Sequence, residues 1–388
     1  MCFPFKFEYI IIEPSSGDSI SDQLSDCIGQ YELLIKSQRA GFNVVRLSWF
    51  YDISELDKGI SLSRLINDSM PDKNMPVCAQ TFIPQKPLNG NHVELLVLGV
   101  QSEGECGMRN NQLGGISFQM VESTDMKWLF FGGTGSDGDS RQTKGAAEKV
   151  FNNLSEVLKW ENLSYKHLLR QWNYIGGILE ITELTGAVCQ NYQEFNDARG
   201  LRYHQEGLMN NFPAATGIGI SGKSVILEGI ALEADSQTQV FSLHNPVQQD
   251  AHRYSNDRLI GSEVESTPLF ERGKVVFSHG QGHIWVSGTA AIRGENSIKG
   301  NTQDQTKLTC DIIDLLVSNE NLVEAGLPPK DYIVEAVYLR AYVKYLGDGE
   351  YVRRYLKERY ADIPIHALQA DVCRDELLVE IEAEFSVQ

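Results

Sequence analysis

Along residues 1–125, short apolar runs are separated by polar and turn residues, the pattern of short β-strands joined by loops. Strands are predicted over 8–13, 43–51, 77–82, 92–100 and 115–121, where Val, Ile and aromatic residues gather between turn residues. A helical spacing over 21–40 predicts one helix, and the polar stretch 52–75 reads mostly as loop. From Met126 the pattern changes, and the new pattern occurs twice. A strand over 127–134 is followed by a helix over 146–160, a strand over 167–178 and a helix over 183–208. After Pro213 come two more strands, 214–220 and 225–233. The second copy repeats the order with a strand over 282–289, a helix over 308–325, a strand over 332–344 and a helix over 349–360. After Pro364 it ends with strands over 365–372 and 377–385. Gln142-Thr143-Lys144 opens the first helix of one copy and Gln305-Thr306-Lys307 that of the other. Literal identity is slight, so the duplication rests on matching element order and matching break residues.

This alternation predicts an α+β fold of two units, each a mixed sheet with helices on one face, plus a strand-rich N-terminal region. The boundaries are drawn at 1–125, 126–236 and 237–388. Two units that each bury one sheet face leave a crevice between them, where a ligand site is expected.

The length of 388 residues agrees with two or three domains at about 150 residues each. Composition is globular, with 42% hydrophobic and 22% charged residues. Against 34 Lys and Arg stand 52 Asp and Glu, a net charge of -18. Such a surface repels phosphate backbones, so nucleic acid is not an expected partner, and an anionic small molecule needs a local arginine cluster. No apolar run reaches the ~18 residues of a membrane helix, and the N-terminus lacks a secretory pattern, so neither membrane nor export is expected. Seven scattered cysteines without a C-x-x-C pair suit reduced thiols in a cytoplasm. His279 and His283 precede an apolar strand and read as a turn, so no metal is expected.

Several strings carry candidate chemistry. Gly217-Ile218-Gly219-Ile220-Ser221-Gly222-Lys223-Ser224 fits G-x-x-x-x-G-K-[ST], but a strand pattern follows where a P-loop needs a helix, so Ser221-Gly222-Lys223 reads as a hairpin turn. The glycine-rich stretch from Gly132 to Gly138 reads as a loop. On the last strand, Glu380, Glu382 and Glu384 share one face. Such a row is ordinarily solvated, yet a glutamate at its buried end has a raised pKa and can act as an acid, and Glu380 is the most interior. Tyr192, Phe195 and Arg199 fall on one helix face. Arg199 and Arg272, if both reach the crevice, form a carboxylate clamp.

Seven motifs occur in order: Trp172-Asn173-Tyr174; Tyr192-x-x-Phe195-Asn196-x-Ala198-Arg199; Pro213-Ala214-Ala215-Thr216-Gly217-Ile218-Gly219; Asn245-Pro246-x-Gln248; Thr267-Pro268-x-Phe270-x-Arg272; Ser287-Gly288-Thr289-Ala290-Ala291-Ile292; and Cys373-Arg374-x-x-Leu377-Leu378-Val379-Glu380-Ile381-Glu382. Together they resemble the chorismatase family, over residues 165–385. The resemblance implies units similar to the RidA/YjgF fold. RidA-like units often form trimers, and two copies plus the N-terminal part can imitate one in a single chain; a monomer or small homo-oligomer is expected. The implied reaction removes the enolpyruvyl group of chorismate as pyruvate, leaving a dihydroxycyclohexadiene carboxylate or a hydroxybenzoate, with no metal or organic cofactor. Carried onto this chain, the acid is Glu380; Arg199 and Arg272 pair the two substrate carboxylates; Tyr192, Tyr254, Ala290 and Cys373 wall the pocket. The chain departs from the family pattern at Gln193, at Val247 and over 256–266. The alternatives are a RidA-like enamine or imine hydrolase, and a non-catalytic aromatic-acid-binding protein on the same fold.

Overall fold

The computed structural model describes residues 5–37, 42–57, 60–69, 78–102, 104, 106–134, 143–184, 187–261, 265–361 and 363–388. Its first part runs β1 (Phe5–Ile12), α1 (Ile20–Lys36), β2 (Phe42–Tyr51), α2 (Leu62–Ser69), β3 (Ala79–Ile83), β4 (Val93–Ser102). The middle part runs β5 (Gly107–Leu113), β6 (Ile116–Glu122), β7 (Met126–Thr134), α3 (Thr143–Trp160), β8 (Leu168–Gly176), β9 (Ile181–Leu184), β10 (Ala187–Gln190), α4 (Asn191–Gln205), β11 (Ala214–Ile220), β12 (Val225–Ala234). The last runs β13 (Gln239–Leu243), β14 (Gly273–Ser278), β15 (Gln281–Ala290), β16 (Ile292–Arg293), β17 (Asn296–Ser297), α5 (Thr302–Leu316), α6 (Asn319–Glu324), β18 (Val334–Val343), α7 (Gly349–Tyr360), β19 (Ile365–Gln369), β20 (Val379–Val387).

The sheet orders make the repetition explicit. The middle sheet is β5-β6-β7-β12-β8-β11, and the last is β13-β14-β15-β20-β18-β19. Each position in one has its counterpart in the other. The first sheet, β1-β4-β2-β3, reproduces four of these positions, β7-β12-β8-β11. The N-terminal region is therefore more than a set of strands: it is a third copy of the unit without the leading hairpin. Strands β5 and β6, which the sequence pattern assigned to that region, complete the middle sheet by antiparallel pairing to β7.

Each sheet carries helices on one face. On α3, Ala146, Val150, Phe151, Leu154 and Leu158 recur at helical spacing and are buried against the middle sheet with Phe195 and Tyr203 of α4. Cys310, Ile313 and Leu316 of α5 and Val352 and Leu356 of α7 cover the last sheet, and Leu24 and Ile28 of α1 with Leu62 and Ile66 of α2 cover the first. The bare faces of the three sheets meet in a common core, where Phe7, Trp128 and Trp285 pack edge-on beside Trp172, Tyr338 and Tyr342.

Several expected elements are corrected. The stretch 62–69 is helical, because Leu62 and Ile66 lie one turn apart and are both buried. The helix expected from 183 starts at Asn191, and 181–184 pair antiparallel with 187–190 as β9 and β10. The helix expected over 308–325 starts at Thr302 and divides into α5 and α6, where Ser318 accepts a capping bond from Asn321 N. Ser221-Gly222-Lys223 is a turn, with Gly222 at φ +93°, but not a hairpin: β8 lies between β11 and β12. β8 pairs parallel with β11 on one side and antiparallel with β12 on the other. The other glycine string lies partly in β7, and its residues 135–138 fall outside the described residues, as does Gln142. The helix-opening Gln305 sits one turn inside α5.

Candidate functional site

A cavity of about 410 Å³ lies where the middle and last units meet. The middle unit contributes Tyr192, Asn196 and Arg199 from α4 and Ala215 and Gly217 from β11; the last contributes Arg272, Gly288, Ala290, Cys373 and Glu380. All seven residues expected from the sequence line this one cavity: Glu380, Arg199, Arg272, Tyr192, Tyr254, Ala290 and Cys373. The crevice between units is thus where the candidate chemistry collects.

Glu380 projects from β20, flanked by Ala290 on β15 and Tyr342 on β18. The β15–β20 register slips between Val286 and Thr289, a β-bulge that inserts one extra residue at Ser287-Gly288. A Cβ at Gly288 would lie 2.1 Å from Glu380 Oε1, so the glycine makes room for the carboxyl group. Gly217 serves similarly as a flat floor under the Tyr192 ring, whose Cε2 would lie 3.0 Å from an added Cβ.

The three glutamates of β20 are not a solvated row. Glu380, Glu382 and Glu384 are 5%, 3% and 4% exposed, because their face points to the other two units. Burial pushes the Glu380 carboxyl up to about 8, the charge of Glu382 adds to this, and Arg170 and Arg272 oppose it. Glu382 shifts the other way: burial is outweighed by Arg340, Arg170 and bonds from Thr216 and Trp172. Its carboxylate accepts from Arg170 Nη2 at 2.9 Å, Trp172 Nε1 at 2.8 Å and Thr216 Oγ1 at 2.6 Å. Glu384 accepts from Tyr9 Oη at 2.5 Å and bonds His283 Nε2 at 2.8 Å. His283 is thereby committed inside the core, while His279 stands at φ +52° in the preceding turn.

Arg199 and Arg272 are both buried in the cavity wall, at 2% and 3% exposure. Arg199 Nη2 donates to Asn196 Oδ1 at 2.7 Å. Arg272 Nη2 donates to Gln249 O at 2.5 Å and to Tyr254 Oη at 2.7 Å. Among the described residues, the Nη1 of neither guanidinium has a hydrogen-bond partner. Burial, then the charge of Glu380, pushes the Cys373 thiol up to about 12, so the sulfur facing the cavity is neutral. Burial also raises the Tyr192 phenol.

Sequence reasoning missed two further arginines in the lining, Arg258 and Arg374. Arg374 Nη1 donates to Glu295 O and Ser297 Oγ, and its guanidinium stacks 5.3 Å from the centre of the Tyr254 ring, which Arg272 approaches at 5.6 Å. The Cys373-Arg374 pair was a signal for Arg374; nothing local marks Arg258. Of the departures from the family pattern, Gln193 and part of 256–266 line the cavity, whereas Val247 does not and instead accepts a backbone bond from Gly294. Among the described residues one group, Asp52, Glu55 and His92, has metal-ligand spacing; it lies outside the cavity, and Asp52 already holds Lys86 Nζ at 2.6 Å.

Register shows why one crevice of three carries this arrangement. Thr216, Thr81 and His366 face Trp172, Ser48 and Arg340 in the parallel pairs. Those three in turn face Glu228, Leu96 and Glu382. Two residues back along each last strand stand Ile226, Glu94 and Glu380. Ile226 is apolar, and Glu94 is occupied by His366 Nε2 at 2.8 Å and Asn91 Nδ2 at 3.0 Å. Glu380 has an open cavity before it.

The middle of the chain, residues 108–231, matches the family model for the N-terminal part of FkbO/Hyg5-like chorismatases. A 3-hydroxybenzoate synthase of Streptomyces hygroscopicus is 30% identical over 244 residues, covering 61% of this chain and 68% of that protein. A chorismatase of Streptomyces rapamycinicus is 31% identical over 57% of this chain and 64% of its own length. A chorismatase crystal structure superposes with a TM-score of 0.70 at 22% identity, covering 99% of both chains, which shows a shared fold. Among the described residues no helix is long and apolar enough to cross a membrane. By sequence relatedness the chain belongs to the chorismatase family.

Proposed function

We propose that the cavity binds chorismate and that the protein releases its enolpyruvyl group as pyruvate, with Glu380 as the proton donor. The observation that carries this reading is a buried carboxylic acid, with its pKa pushed up to about 8, in a cavity walled by arginines. A side chain that keeps its proton at neutral pH can give it to the methylene carbon of an enol ether. The C–H bond formed there leaves an oxocarbenium ion, which either water or the ring system then resolves. Water attack gives pyruvate and a dihydroxycyclohexadiene carboxylate, consuming one water; displacement within the ring gives pyruvate and a hydroxybenzoate with no net water. The relatives named 3-hydroxybenzoate synthase and chorismatase support this substrate class. Chorismate carries two carboxylates, and the open Nη1 groups of Arg199 and Arg272 suit their pairing.

The test is purified protein with chorismate, with pyruvate followed by a coupled assay and the aromatic products separated. Pyruvate release that falls by about 10²- to 10⁴-fold in Glu380→Gln is the expected result. Undiminished turnover by that variant would remove Glu380 from the acid role. Ammonia release from an enamine with chorismate untouched, or saturable aromatic-acid binding without product, would replace the reading altogether.

A further inference from the structure

We propose that Thr216 is a positioning residue for this reaction: from the middle unit, its hydroxyl holds the Ser287-Gly288 bulge of the last unit against which the Glu380 carboxyl rests. The proposal rests on the role of Glu380 given above. A hydroxyl offers one donor and two acceptor sites, and Thr216 Oγ1 uses all three. It donates to Glu382 Oε2 at 2.6 Å, and it accepts from Arg170 Nη2 at 2.6 Å and from Gly288 N at 3.1 Å. Thr216 is fully buried, so these bonds have no solvent competitor. The neighbouring bond from Ala215 N to Ser287 Oγ, at 2.8 Å, ties the other residue of the bulge to the same strand. A Cβ at Gly288 would meet Glu380 Oε1 at 2.1 Å and Thr216 Cγ2 at 3.1 Å, so threonine, glycine and acid are packed in one stack.

Glu380 itself has no hydrogen bond among the described residues that would aim it. Its position is set by the bulge beneath it, and the bulge is set across the unit boundary. Arg170 and Glu382, both tied to Thr216, are two of the three charges that act on Glu380, Arg272 being the third. One hydroxyl therefore joins the wall, the acid's resting place and its charged surroundings. A small displacement of a reacting group costs rate far more than it costs binding.

Thr216→Val keeps the shape and removes all three bonds; Thr216→Ser keeps the bonds. With chorismate as substrate, Thr216→Val is expected to lose about 10- to 100-fold in kcat with KM within about two-fold, since the arginines are untouched. Thr216→Ser is expected to recover most of the loss. Wild-type kcat in Thr216→Val, a change in KM alone, or a serine variant as impaired as the valine would overturn the proposal. Should Thr216→Val fail to fold, Thr216→Ser and Gly288→Ala decide it: serine close to wild type with alanine reduced in kcat supports it, and any other pairing overturns it. Glu380→Gln is assayed alongside. If it is inactive while Thr216→Val is unimpaired, the positioning role alone falls. If it is fully active, both fall.

Discussion

Glu380 and Glu382 stand two residues apart on one face of one strand and are driven to opposite protonation states. Both are buried, so burial does not separate them; counter-charge does. Glu382 has two guanidinium groups and three further donors, Trp172, Thr216 and Tyr342, and Glu380 has a neighbouring anion. Because the Glu380 pKa is raised, its acid form is present at neutral pH and is lost as pH rises through about 8. Turnover is therefore expected to be flat on the acidic side and to fall above about pH 8, in a profile of kcat/KM against pH. The clamp has a different signature. Arg199→Ala removes a charge-assisted carboxylate contact, and KM for chorismate is expected to rise by about 10- to 100-fold with a smaller change in kcat. Equal loss in kcat at constant KM would move Arg199 from binding to chemistry.

At the scale of elements, the device that matters is an irregularity. A Cβ on the bulged segment of β15 at Gly288 would stand where the Glu380 carboxyl lies, and the glycine leaves that space free. Gly288→Ala is expected to lower kcat by about 10-fold or more while thermal stability changes little, which initial-rate kinetics beside a melting curve would check. The strands 214–220 and 225–233 were readable as short apolar runs, buried on both faces, and the helix 349–360 from Val352 and Leu356 one turn apart on its buried face. Helix α2 was not, since among its described side chains only Leu62 and Ile66 are fully buried, and the β9–β10 pair was hidden beside the helical pattern of α4. The face of the glutamate row stayed open between solvent and core for a related reason. Alternation shows which residues share a face but not whether that face meets water or another sheet.

At the scale of the whole molecule, three units of one topology close on a common core, and each crossing is sealed by polar contacts. Glu382 reaches Arg170 and Thr216, Glu228 reaches Ser48, and Glu94 reaches His366. The last pair joins the first unit to the third. Burial lowers the His366 pKa, so its bond to Glu94 is that of a neutral imidazole. His366→Ala leaves a buried carboxylate with fewer donors and is expected to cost about 1–3 kcal/mol of stability, read as a lower Tm, with kcat unchanged at temperatures where the variant is folded. A parallel loss of turnover would mean that this crossing communicates with the Glu380 crevice.

By itself the sequence determined the repeating order of elements, the family pattern over its last two units and the residue types that meet in the crevice, because these follow from local periodicity and from motifs short enough to be read along the chain. The tertiary structure decided what depends on neighbours distant in sequence. It made the N-terminal region a third unit, turned the glutamate face inward, brought Arg258 and Arg374 to the wall and left Val247 outside it. It also chose among three equivalent positions, Glu94, Ile226 and Glu380, by occupying one with histidine and opening a cavity before another. Protonation and access are set by charges and packing from other units, and no periodicity within a strand carries that information.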